Sequence, residues 1–223
     1  MKTNIEPLQS DSYYHIYNRG INGENIFKEE RNYSFFLERY AHYIEPFAET
    51  YAYSLLKNHF HLLIRTRPEV EIREKLTKIN SDFSEQINGI IQRKQSLNTE
   101  KPIEWILGNC FSSLFKSYSQ SINNAHNRTG RLFEQPFRRI LVDSNDYFTE
   151  LIYYIHRNAE NHGFVEDFKL YPYSSYHSHL STSSTKLRRN EVIDWFGNKE
   201  AFKKFHEVNQ NLDNLSKFRI EFD

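Results

Sequence analysis

This 223-residue chain has only one cysteine. With Cys110 alone no intramolecular disulfide can form, so the expected setting is a reducing cytoplasm. Nor does any apolar run approach the roughly 20 residues needed to span a bilayer. No apolar signal segment opens the chain. The expectation is a soluble cytoplasmic protein with no membrane partner. Net charge is absent as well: 29 Lys and Arg balance 29 Asp and Glu. That excludes a polybasic, tail-type binder, and any nucleic-acid surface must be a local patch. Internal repeats and long low-complexity tracts are also lacking.

Aromatic residues are plentiful, at 16% with 15 Tyr and 18 Phe. Most belong in a core, but exposed aromatics can also stack unpaired bases. The length suits one large domain, or one domain with an appendage.

Hydrophobic periodicity gives the element order. Ser12–Tyr17 alternates and reads as a strand that ends at Asn18-Arg19-Gly20. Phe36, Leu37, Tyr40 and Tyr43 have helical spacing and place a helix over 33–43. Glu49–Leu56 reads as a second strand, followed by the strand Asn58-His59-Phe60-His61-Leu62-Leu63-Ile64. Leu76, Ile79, Phe83, Ile87, Ile90 and Ile91 predict one long helix after residue 69, with a linker over 95–102. A Ser- and aromatic-rich helix follows over 106–123, then a turn at Thr129-Gly130-Arg131 and a strand over 137–142. Asp143 or Ser144 caps the next helix, with Asp146 in its first turn. That helix runs to about His156 or Asn158 and stops before Gly163. Residues 171–184 read as loop and 191–208 as a helix or helix pair. The predicted fold class is α+β: a central antiparallel sheet flanked by helices, followed by a C-terminal helical extension.

The chemistry starts at Asn58–Ile64. Alternate side chains of a strand share a face, so His59 and His61 point together while Phe60 and Leu62 enter a core. Two imidazoles on a rigid sheet form half of a divalent-metal site. The helix after residue 144 offers the rest. Tyr154 and Asn158 are four apart and share a face: a phenol as candidate nucleophile, and an amide oxygen as candidate ligand. Near neutral pH a phenol is mostly protonated, and a metal or neighbouring cations favour its ionised form. Tyr153, about 100° away around the helix, reads as a packing residue. Tyr118 stays open as a rival nucleophile, and His156 reads as a surface histidine, with a place behind the metal ligands or against DNA as the alternative.

Five segments in order carry a resemblance. They are Tyr13–Gly20, Asn58–Ile64, Thr129–Phe133, Phe137–Arg139 and Tyr154–Asn158. Over roughly residues 12–176 the chain resembles the single-tyrosine HUH transposases, in the branch of REP-associated tyrosine transposases related to the insertion-sequence-200-like family. The resemblance implies an HUH endonuclease sheet, of ferredoxin- or RRM-like type, in a domain over 1–176, with the extension over 177–223. It further implies His59, His61 and Asn158 as ligands of Mg²⁺ or Mn²⁺, and Tyr154 as nucleophile. The implied reaction cuts and rejoins single-stranded DNA beside a REP-like hairpin through a 5′-phosphotyrosine, in a monomer or a homodimer. The chain departs from the family pattern at three places. Lys57 stands where Pro is usual before Asn-His, Ala159 follows Asn158 where Pro is usual, and the polar stretch 69–104 is longer.

Arg128, Arg131, Arg138 and Arg139 lie within twelve residues and form a candidate phosphate cradle, since guanidinium forks suit phosphate. Asn18 and Arg19 are candidate DNA contacts at the end of the first strand. Lys186, Arg188 and Arg189, ahead of the Trp195 helix, could clamp a hairpin stem or serve only a packing helix. Two other functions compete with the enzyme: a non-catalytic hairpin-DNA-binding regulator derived from a transposase, and a metallohydrolase using bound water.

Overall fold

A computed structural model describes residues 6–86, 100–142 and 147–208, with backbone alone over 80–86. Its strands are β1 (Tyr13–Arg19), β2 (Ala48–Leu55), β3 (His59–Thr66) and β4 (Arg138–Val142). They form one antiparallel sheet in the order β2-β3-β1-β4. Helix α1 (Glu30–Tyr43) joins β1 to β2. Helices α2 (Glu69–Gln86) and α3 (Ile103–Ala125) lie between β3 and β4. This is the split β-α-β arrangement of ferredoxin-like folds, and the expected α+β class holds.

Strand alternation sorts the two faces. Tyr14 and Ile16 of β1, with Phe60, Leu62 and Ile64 of β3, face α1 and α3. Each large apolar side chain buried there contributes about 1.5–3 kcal/mol before entropy is counted. Tyr13 and Leu63 face the other way, towards α4 (Phe148–Asn161). A register shift between Thr50 and Ala52 turns both Tyr51 and Ala52 to the α4 face. Glu29 and Asn32 cap α1 reciprocally: each side chain accepts the other's backbone N–H, which satisfies two donors that a helix start otherwise orphans.

Several boundaries differ from the sequence reading. α3 begins at Ile103, because Pro102 takes a non-helical ψ of 145° at the N-cap, where its missing N–H leaves no hydrogen bond unmade. α4 extends to Asn161, since Ala159 keeps the backbone N–H that proline would lack. The stretch read as loop over 171–184 contains the five-residue α5 (Tyr176–Leu180). The C-terminal pair is α6 (Arg189–Phe196) and α7 (Lys199–Glu207), separated at Gly197, whose φ of 92° suits glycine. The cap expected at Asp143 or Ser144, and the linker over 95–99, lie outside the described residues.

Helices α5 to α7 pack onto α4 and β2. Tyr51 stacks on Trp195 with centroids 5.0 Å apart, and its hydroxyl donates to Glu191 at 2.8 Å. Val192 and Phe202 are fully buried in the same cluster as Leu151 and Ile155. Among the described residues, no helix is long and apolar enough to cross a membrane.

Candidate active site

The β1–β3 register builds the site. Tyr17 lies opposite His61 and Arg19 opposite His59, so the odd residues of β1 share the histidine face. His15 therefore joins the pair. Its Nε2 lies 3.0 Å from His61 Nδ1, and its ring stacks on that of His61 with centroids 5.3 Å apart. His59 Nδ1 lies 2.7 Å from Asn58 Oδ1. His162, capping the C-terminal end of α4, packs edge-on against His59 at 4.8 Å.

Helix α4 lays Tyr154 across this cluster. The phenol ring is edge-on to His61 at 5.8 Å and to His15 at 6.1 Å. One turn on, Asn158 is fully buried, and its Nδ2 donates to the Tyr154 carbonyl at 3.2 Å. Its Oδ1 is buried and makes no well-aligned hydrogen bond among the described residues, although the side chain lies against His59. An acceptor left in that state costs about 1–3 kcal/mol, so it marks a place where a ligand would be welcome.

Burial keeps the histidines neutral. Desolvation lowers His15 and His59 to about 3 and takes His61 well below the usual range. For His59, burial comes first and His162 depresses it further, while Asn158 acts the other way and Arg19 contributes least. Neutral imidazole is the form that ligates a metal. His59 and His61 also each engage Nδ1 with a neighbour, the orienting pattern usual behind metal-bound histidines. Among the described residues, no three His, Cys, Asp or Glu side chains are arranged as a metal cage. The available donor set is two imidazoles and one amide oxygen. That open set fits a divalent cation completing its shell with water or phosphate oxygens.

The rival tyrosines are placed elsewhere. Tyr118 is buried on the α1/α3 face and donates to the Ile26 carbonyl at 2.8 Å. Tyr153 is buried against Phe205 and His206. His156, expected at the surface, is instead fully buried. It sits about 200° around α4 from Tyr154, where α7 and Ser175 close over it: Nε2 lies 2.7 Å from Ser175 Oγ and Nδ1 2.9 Å from His206 Nε2.

The candidate DNA contacts divide. Asn18 is buried and shares the face of Tyr14 and Ile16, while its Oδ1 accepts the Arg19 N–H at 2.9 Å. Arg19 pairs with Glu134 at 2.7 Å. Arg128 pairs with Glu24 and with Asn123, so it braces the loop after α3. Arg131 and Arg138 are exposed and have no acidic partner among the described residues. Arg139 is half-buried, its guanidinium 4.8 Å from the Phe137 ring. Lys186 pairs with Glu45, and Arg188 with Glu191 and Glu49, while Arg189 donates to the carbonyls of Ser178 and Ser183.

Sequence reasoning missed His15, His162, Glu24 and the pairing of Glu134, the one acid beside the arginine patch, with Arg19. His15 was reachable, because β1 alternation puts it with Tyr13 and Tyr17 once β1 pairs with β3. Glu24 and Glu134 become partners only through tertiary packing.

No family model matches the chain, and no curated protein matches it. Among solved structures, it is similar to a REP-associated tyrosine transposase bound to a REP hairpin. The two share 14% identity at a TM-score of 0.51, over 82% of this chain and 86% of the other. At that identity the similarity speaks for the fold.

Proposed function

We propose that this chain is a single-tyrosine enzyme of the HUH transposase type, one that nicks and rejoins single-stranded DNA beside a hairpin. The observation that carries this reading is the edge-on packing of Tyr154 against His61, with Asn158 one turn further along and its amide oxygen buried beside His59. A similar fold is seen bound to a REP hairpin, which supports hairpin DNA as the partner.

His59, His61 and Asn158 would hold Mg²⁺ or Mn²⁺. Bound there, such a cation would act as a Lewis acid and offset the negative charge that develops on the phosphodiester oxygens. The chain's own groups do the rest. The Tyr154 phenol oxygen bonds to phosphorus as the bond to the 3′-oxygen breaks. The phenol proton goes to solvent, and the departing oxygen takes one up. The products are a 5′-phosphotyrosine and a free 3′-hydroxyl. Attack by a 3′-hydroxyl on the phosphotyrosine restores a phosphodiester and the phenol, so joining consumes no nucleotide. The buried face limits water, which would otherwise hydrolyse the intermediate. Exposed Arg131 and Arg138 would meet the backbone phosphates.

A second reading has its own observation. Tyr154 is 5% exposed, and His59 and Asn158 are 3% and 0%. A phosphodiester reaches such a site only if the segments covering it part. A protein that binds the hairpin without cutting it needs no such movement. Incubating the chain with a labelled hairpin-bearing single strand and Mn²⁺ or Mg²⁺ separates the two readings. Metal-dependent cleavage with a denaturation-resistant protein–DNA species supports the enzyme, whereas salt-sensitive binding without cleavage supports the regulator.

A further inference from the structure

A groove of about 1240 Å³ runs between α3 and the segment 128–139. It lies beside the α1/α3 layer and contains none of the histidine-site residues. One wall is a single stripe of α3: Trp105, Asn109, Ser112, Lys116 and Gln120. Their spacing of three or four residues keeps them on one helical face. The facing wall carries Arg131, Phe137 and Arg139.

A solvated helix face has no use for Trp105, which leaves 46% of its surface exposed. An exposed indole within a groove is the informative kind of apolar exposure. The Lys101 ammonium lies 5.7 Å from that ring and adds positive charge there. Lys116, Arg131 and Arg139 have no ion pair among the described residues. Of the two acids in the groove, Glu134 is neutralised by Arg19, leaving Glu104. Asn109 and Ser112 donate to α3 carbonyls at 3.0 and 2.9 Å, so their oxygens stay available as acceptors. Asn123 is occupied in holding the loop at Gly130.

Cations in excess of the one remaining acid, an open aromatic ring and neutral amide groups together suit a polyanion with stackable faces. From Trp105 to Gln120 the stripe extends ~22 Å at 1.5 Å per residue, about six stacked nucleotides at 3.4 Å each. The groove also meets the histidine site: Glu134 lines it and pairs with Arg19, which lies opposite His59 in the sheet.

We infer that the α3 groove seats a single-stranded DNA segment, with a base stacked on Trp105 and phosphates against Lys116 and Arg131. This rests on the DNA-processing function proposed above and names the track along which the strand reaches the site.

The test measures binding in a Tyr154→Phe background, which silences the covalent step. The probe is a fluorescein-labelled, mixed-sequence single strand, read by anisotropy, with a blunt duplex of the same sequence as competitor. Trp105→Ala weakens single-strand binding about tenfold. Lys116→Gln and Arg131→Gln each lower the slope of log affinity against log salt by about 0.7. All three side chains are exposed, so circular dichroism and melting should be unchanged. The inference is overturned if the three variants bind the single strand as the background does, or if the duplex competes as well as unlabelled single strand. A parallel adduct assay on the chain with Tyr154 intact keeps the two proposals apart. Adduct formation with unaffected groove variants removes the groove and leaves the enzyme. Weakened groove variants without any adduct remove the enzyme and leave a single-strand binder.

Discussion

Helix α4 separates two clusters of buried histidines, and the same residue type does different work on its two sides. On the outer side, His156, Ser175 and His206 form a closed relay. The Tyr53 N–H donates to Ser175 Oγ at 2.9 Å, and that hydroxyl lies 2.7 Å from His156 Nε2. His156 Nδ1 then meets His206 Nε2, and His206 Nδ1 donates to the Phe202 carbonyl at 2.8 Å. Donors and acceptors alternate from one end to the other, so the relay is a brace pinning α4 to β2 and α7. On the sheet side, His59 and His61 each engage one nitrogen with a neighbour, and the rings turn towards a phenol and an incompletely bonded amide. Burial and neutrality are common to both clusters, so neither marks chemistry by itself. What distinguishes the reactive cluster is what its rings face.

That comparison can be broken by substitution. The largest effect expected is on cleavage. His59→Ala or His61→Ala should lower metal-dependent nicking by at least about 100-fold, while Tyr153→Phe, a packing change, stays near the original rate. Equal losses from all three in a gel-based cleavage assay would erase the distinction between the faces.

Next comes stability. His156→Ala strands Ser175 and His206 in the interior and should cost about 2–4 kcal/mol, read as a lowered denaturation midpoint. His59→Ala should cost less, because its polar partner Asn58 is half-exposed to water.

Acid should act in the same direction, through the brace as well as through the sheet-side histidines. Burial lowers His206 to about 4 and His156 well below the usual range, and also lowers His179, whose buried ring lies 5.5 Å from that of His156, to about 3. The unfolded chain therefore takes up protons below about pH 6.5 that the folded chain refuses. Stability is fully present above about 6.5 and falls as the pH drops towards 4, by ~1.4 kcal/mol per group per pH unit. Melting temperatures from pH 7.5 to 4.5 give the slope, and His206→Gln should flatten it.

The smallest effect is at the surface. Arg138→Gln should weaken DNA binding a few-fold and reduce its salt slope by about 0.7, with the fold unaffected. Arg128→Gln should instead lower the melting temperature, because Arg128 is tied to Glu24 and Asn123.

What could be read from the sequence follows from how local each feature is. The alternation of β3 announced His59 and His61 on one face, and i,i+4 spacing announced Tyr154 with Asn158. Both are properties of a single element. Strand order was not local, so His15 went unnoticed although it lies within hydrogen-bonding distance of His61. His156 looked exposed because nothing in α4 alone reveals that α7 covers it. The arginine patch looked uniform in sequence, yet Glu24, which pairs with Arg128, arrives from more than a hundred residues away.

The most direct test of the central claim locates the DNA attachment. The chain is incubated with a hairpin-bearing single strand and Mn²⁺, denatured and digested, and the nucleotide-bearing peptide is sequenced by mass spectrometry. The expected result is a 5′-phosphate ester on Tyr154, absent without metal and absent in Tyr154→Phe. Attachment at Tyr153 or Tyr147, or cleavage that persists undiminished in Tyr154→Phe, would contradict it.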